Sequence, residues 1–153
     1  MTAVFLLLFL FSNSGLSFSL DRWLSNSDLG LDQVIKAWPL RLMQMQLCSI
    51  YLRAYYKKIQ SPIWRSGHAL PNAVMWPQWG QAWIRNFIKD PAIGGTMNFS
   101  VLFFQAAIPF LIWPIETRNY AIAAGLAMHL GMTFCLKLET FGPMMMCTYL
   151  LFI

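Results

Sequence analysis

Few side chains in this 153-residue chain have both the type and the setting for chemistry, and they fall in two places. One is the block Tyr51 to Leu70, YLRAYYKKIQSPIWRSGHAL, in which Tyr51, Tyr55, Lys57 and Lys58 precede a proline turn and Trp64 follows it. The other is His129, set inside an uncharged apolar run. An ionisable side chain in such a run is costly, so His129 reads either as a functional group or as a member of a packed hydrogen bond. Lys57 and Lys58 close a helical stretch, the position from which lysines snorkel to a membrane–water boundary. His68 and Arg65 sit in a polar loop and read as solvated. The sequence has no Walker loop, dinucleotide fingerprint, GxSxG elbow or HExxH helix. Cys48, Cys135 and Cys147 form no CxxC pair and have no histidine cluster beside them, so neither a disulfide framework nor a metal site is expected.

The elements that must hold these residues are written in the composition. Hydrophobic residues make up 58% and charged residues 11%, against about 45–50% and about 25% in soluble domains. A water-soluble globule and a disordered chain are both excluded on that ground, and a lipid bilayer is the expected partner. The net charge of +5 flanks apolar runs and is not gathered on one solvated face, which suits membrane topology and not nucleic acid. Candidate spans are residues 3–20, 40–59, 97–115 and 119–136, with the start of another at 140–153. For 3–20 a secretory signal competes with a short membrane helix, and the absence of a positive amino-terminal region favours the helix. Residues 21–39 read as a polar loop ending at Pro39. The 40–59 stretch carries Arg41, Gln44, Gln46, Arg53, Lys57 and Lys58, marginal for a span by hydropathy alone. Its polarity is organised, because at about 100° per residue Gln44, Tyr51, Tyr55 and Lys58 share one stripe and Gln46, Ser49, Arg53 and Lys57 another. A helix lining something polar has this pattern.

Between the second and third spans, residues 60–96 read as an interfacial loop. Trp64, Trp76, Trp79 and Trp83 lie there, as expected of rings at headgroup level. A short in-plane helix is predicted for Trp79 to Ile88, ended by Asp90-Pro91, with a turn at Gly94-Gly95. Pro109 is expected to kink the third span, and a tight hairpin is expected over Pro114 to Arg118. The fourth span is rich in small residues that let helices approach closely. Both ends of the chain look cut, so the expected fold class is an all-α, multi-pass transmembrane helical bundle that is a fragment of a larger domain.

The same block carries a resemblance. A helix ending in Lys58-Ile59, a proline turn, Trp64, two residues, Gly67 and then Ala69-Leu70 resembles the HTTM domain, the membrane region shared by vitamin K-dependent gamma-carboxylases and many bacterial proteins. SLDRWL, Ser19 to Leu24, is similar to the end of an early family helix. His129 and the closing segment Phe141, Met145, Tyr149, Phe152 are similar to later family helices. Tyr55 and Tyr56 depart from the pattern, standing where family members commonly carry a glycine before the lysine.

The resemblance implies a carboxylase-like, quinone-linked activity in which Lys58 is the base and His129 supports it. It implies reduced vitamin K or another quinone as cofactor, with Trp64, Tyr51 and Tyr55 offering flat surface to the ring, and a secreted peptide or protein as substrate. A lysine near its reference pKa of about 10.4 is almost wholly protonated at neutral pH, so the role requires desolvation or a second cation, which Lys57 and Arg53 would supply. The alternative from a different class is a non-catalytic membrane protein, a truncated HTTM product or an export or immunity helper. Charge also bears on orientation. Arg53 to Gly95 carries six basic residues against Asp90 alone, which the positive-inside rule places in the cytoplasm. The resemblance implies an extracytoplasmic active region, and sidedness stays open between the two.

Overall fold

In the computed structural model the described residues are 38–153, and these are helical apart from short turns and one isolated antiparallel bridge, Gly80 to Leu136. The expected span 3–20, the loop before Trp38 and the SLDRWL segment lie outside them. The helices are α1 (Trp38–Ile59), α2 (Pro62–Arg65), α3 (Ala69–Met75), α4 (Ala82–Ile88), α5 (Pro91–Leu111), α6 (Ile115–Cys135) and α7 (Phe141–Thr148), closed by a 3-10 turn, Tyr149–Phe152. The chain divides into two units, 1–46 and 47–153. Of the first, the opening turns of α1 are described, where Arg41 donates to Gln44 Oε1 at 3.2 Å.

The second unit holds everything that follows. Residues 60–96 are not a continuous loop: α2, α3 and α4 fall within them, and α5 begins at Pro91, six residues before the expected start of the span. Three features extend α5 in that direction. The Asp90 carboxylate accepts the Ala92 amide at 2.8 Å as a cap, Pro91 fits the first turn where no amide is needed, and Gly94 is helical because it packs closely. A Cβ on Gly94 would stand 2.7 Å from Pro71 Cγ and 2.9 Å from the Ile88 carbonyl, so this glycine serves contact with α3 and α4 and makes no turn. The hairpin is also shorter than expected. Helix α6 starts at Ile115, and the turn is closed by Thr117 Oγ1 donating to Leu111 O at 2.6 Å and by Arg118 Nη2 donating to Trp113 O at 3.0 Å.

Helix α5 is the one described helix long and apolar enough to cross a membrane. Its exposed side carries Phe99, Phe103 and Phe110, while Asn98, Leu102, Gln105 and Ile108 face inward. Two apolar clusters result. One joins Leu47 and Tyr51 of α1, Ile108 and Ile112, Ala121 and Ile122 of α6, and Met145, Tyr149 and Phe152 of the last segment. The other joins Val74, Ile84, Ile88 and Leu136.

Candidate functional site

Helix α1 sorts its side chains as its stripes predict. Arg53, Lys57 and Ser49 are exposed, Tyr55 and Lys58 half-buried, and Tyr51 buried. The buried tyrosine meets two polar groups from helices far along the chain. Its hydroxyl lies 2.7 Å from His129 Nε2 and 2.6 Å from the Tyr149 hydroxyl. His129 and Tyr149 are each 1% exposed. Aromatic edges enclose the trio, with Phe104 at 5.9 Å from Tyr51 and 6.5 Å from His129, and Phe141 at 6.0 Å from His129, ring centre to ring centre. Burial among apolar rings removes water as an alternative partner, so each of these hydrogen bonds is expensive to break.

Close approach makes the trio possible. A Cβ at Gly125, one turn before His129, would overlap the Tyr149 hydroxyl and ring, so the glycine leaves the space the tyrosine occupies. Gly142 acts likewise for α7: a Cβ there would overlap Thr133 Oγ1 and stand 3.0 Å from the His129 carbonyl. Thr133 Oγ1 donates to that same carbonyl at 2.8 Å.

Two bonds link three groups, and where the central Tyr51 hydroxyl donates one and accepts the other they run in one of two directions. If Tyr149 donates to Tyr51 and Tyr51 to His129 Nε2, the neutral imidazole carries its proton on Nδ1. If His129 donates to Tyr51 and Tyr51 to Tyr149, the free proton lies on the Tyr149 hydroxyl. His129 Nδ1 is buried with no hydrogen-bond partner among the described residues. Reversal of the chain moves a proton's position from one end of the trio to the other without moving a heavy atom.

Lys58 lies elsewhere. It is seven residues past Tyr51, on the same helix face but about 10 Å further along the axis at about 1.5 Å per residue. Its ammonium stands over Trp64, 5.1 Å from the ring centroid. That contact is a cation–π interaction, made by the charged amine and lost by the neutral one. Trp64 is held from α5. Asn98, buried, donates through Nδ2 to the Trp64 carbonyl at 2.9 Å and accepts the Leu70 amide on Oδ1 at 3.2 Å. Gly67, between them, has φ +81°, a conformation that favours glycine. The spacing Trp64, two residues, Gly67 therefore describes a turn that presents the indole to Lys58.

The five residues singled out in the sequence separate into two groups, Tyr51 with His129 inside the bundle and Lys58 with Trp64 at the end of α1, with Tyr55 half-buried between them along the helix. Tyr149, Gly125 and Asn98 were not singled out as site residues. Tyr149 stands in the closing segment of the family pattern, which was its one signal. Asn98 had the signal of an amide in an otherwise apolar run. None of the five lines the apolar pocket of about 310 Å³ between α3, α4, α5 and α6, whose inner end is Phe104.

The sequence model of the family described as the HTTM domain matches residues 1–153, the whole chain. No curated protein and no solved structure matches it.

Proposed function

Because the chain belongs to the HTTM domain family, we propose that it is a multi-pass integral membrane protein with quinone-linked, carboxylase-like chemistry in which Lys58 is the base. The observation that carries this reading is the amine held half-buried over Trp64, with no carboxylate paired to it among the described residues. At the level of side-chain type the place suits a quinol: an indole face and an amine together, with Tyr55 one turn before Lys58. Reduced vitamin K or another quinol, if bound, would be oxidised by dioxygen and so supply the strong base that addition of carbon dioxide to the substrate requires. Lys58 is assigned the task of taking a proton at Nζ. To do so it gives up the ring contact, because the neutral amine has no attraction to the indole face. The Tyr51–His129–Tyr149 chain keeps the helix that carries Lys58 fixed to α6 and the closing segment. A secreted peptide or protein is the proposed acceptor.

A second reading rests on the same contact. Lys58 over Trp64, beside exposed Lys57, is also what an interfacial anchor looks like, and the protein would then be non-catalytic. Lys58→Arg separates the two. Arginine keeps the charge and the ring contact but does not deprotonate at neutral pH. The base reading expects quinol epoxidation to vanish in Lys58→Arg and Lys58→Ala alike while both proteins insert. Full turnover in Lys58→Arg would remove it.

A further inference from the structure

The apolar pocket of about 310 Å³ has a direction. Its walls follow α5 from Met97 to Phe104 and α6 from Leu136 back to Ala127, two antiparallel helices, so it is a slot some two helical turns long. The inner end is Phe104, the ring that also packs on Tyr51 and His129. The outer end is Val74, Ile84 and Leu136. The one hydroxyl on the walls, Ser100, is already committed to the Thr96 carbonyl at 2.8 Å. Nothing in the slot solicits a polar ligand.

The outer end is different in kind. There residues 79–81 run against 135–137, with Gln81 N donating to Cys135 O at 3.1 Å and Lys137 N to Trp79 O at 2.7 Å. Arg85 follows Ile84 of the wall, and Lys137 follows Leu136. Arg85 donates through Nη2 to Gly80 O at 2.8 Å, and Lys137 donates through Nζ to Pro77 O at 2.9 Å. Each cation is thus tied by one donor to the same turn, and the Arg85 Nε is buried with no hydrogen-bond partner among the described residues. The carboxylates on the adjoining segments are not paired with them: Asp90 caps α5, and Glu139 is exposed. Exposed Trp76, Trp79 and Trp83 surround this end, as rings do at headgroup depth.

We propose that the slot holds the hydrocarbon chain of an anionic membrane lipid, whose phosphate is met by Arg85 and Lys137 at the outer end. A slot apolar along its length, with a cation next in sequence to two of its outer wall residues, Ile84 and Leu136, matches an amphiphile of that polarity. The pocket volume is at the lower end of the about 300–1,000 Å³ range of small-molecule sites, enough for part of one chain and not for a bulky headgroup. The inference rests on the membrane location proposed above but not on the chemistry of Lys58.

The test uses the full chain. Flotation with vesicles comes first, since a chain that stays in the soluble fraction overturns the membrane reading and this proposal together. The chain is then extracted from vesicles of equal phosphatidylglycerol and phosphatidylcholine, and the lipid retained is counted by native mass spectrometry. Phosphatidylglycerol is expected to be retained in preference. Lys137→Gln is expected to lower that preference about five-fold, the effect of about one interfacial cation, and Arg85→Gln to lower it at least as much. Gly131→Leu fills the slot, since a Cβ there meets nothing within 4 Å, and is expected to abolish retention of either lipid while the helical content is unchanged. Ala127→Leu, from the same wall, serves if that variant does not fold. Free glycerol phosphate is expected not to displace the lipid, because the chain supplies the affinity. Equal retention of the two lipids by the parent chain, retention untouched by both slot-filling changes, or displacement by glycerol phosphate would each overturn the proposal and leave the Lys58 reading standing.

Discussion

Tyr51 is the middle of a three-membered chain, and position in the chain sets what each hydroxyl is worth. Tyr149→Phe removes an end, leaving Tyr51 bonded to His129 alone, and is expected to cost about 1 kcal/mol. Tyr51→Phe removes the centre and strands both His129 Nε2 and the Tyr149 hydroxyl in an apolar enclosure, at about 2–4 kcal/mol. Denaturant titration in detergent micelles, read by helical content, distinguishes these, and equal losses would mean that the hydroxyls find other partners once either is cut. The residue types involved were legible: a histidine in an uncharged run signals a partner. Which partner was not, because Tyr51 and Tyr149 stand 78 and 20 positions away on opposite sides, and nothing local to His129 selects between them and the chain's other polar groups.

At the scale of the helices, glycines separate into those that fill a need and those that do not. Gly125 yields to Tyr149, and Gly131, six residues on in the same helix, has open space where a Cβ would be. Gly125→Ala is therefore expected to destabilise by about 1–3 kcal/mol through overpacking. Gly131→Ala is expected to stabilise by about 0.5–1 kcal/mol, the helix preference of alanine with nothing to oppose it. Thermal unfolding of the two variants against the parent reads both signs in one experiment, and a destabilised Gly131→Ala would show that another surface comes within reach of α6. By local preference the Gly94-Gly95 pair predicts a turn, because paired glycines break helices in isolation. In α5 the preference is overridden by the Asp90 cap, by Pro91 in the first turn and by the approach of Pro71 to Gly94.

For the molecule as a whole, α5 fixes what can be tested about topology. Its 21 residues rise about 30 Å at about 1.5 Å each, the thickness of the bilayer core. Asn86 precedes it and Glu116 follows it, both exposed. With Cys48, Cys135 and Cys147 replaced by serine, Asn86→Cys and Glu116→Cys are expected to react with a membrane-impermeant thiol reagent from opposite faces of sealed vesicles. Labelling from the same face would show that α5 does not cross. The face on which Asn86 reacts also decides between the positive-inside rule, which places Arg53 to Gly95 in the cytoplasm, and the opposite placement implied by the family.

Composition and periodicity alone determined that the chain is helical and oily, that α1 has a polar stripe with Tyr51, Tyr55 and Lys58 on one side, and that His129 had to be satisfied somewhere. These are consequences of helical geometry and of the cost of burying polar groups, both of which act within a few residues. Tertiary structure decided the rest: that Lys58 meets Trp64 and not His129, that Tyr149 completes the buried trio, and that an apolar slot opens between α5 and α6. Those outcomes depend on how close helices distant in sequence can come, which is set by glycines and by packed rings whose partners no local pattern names.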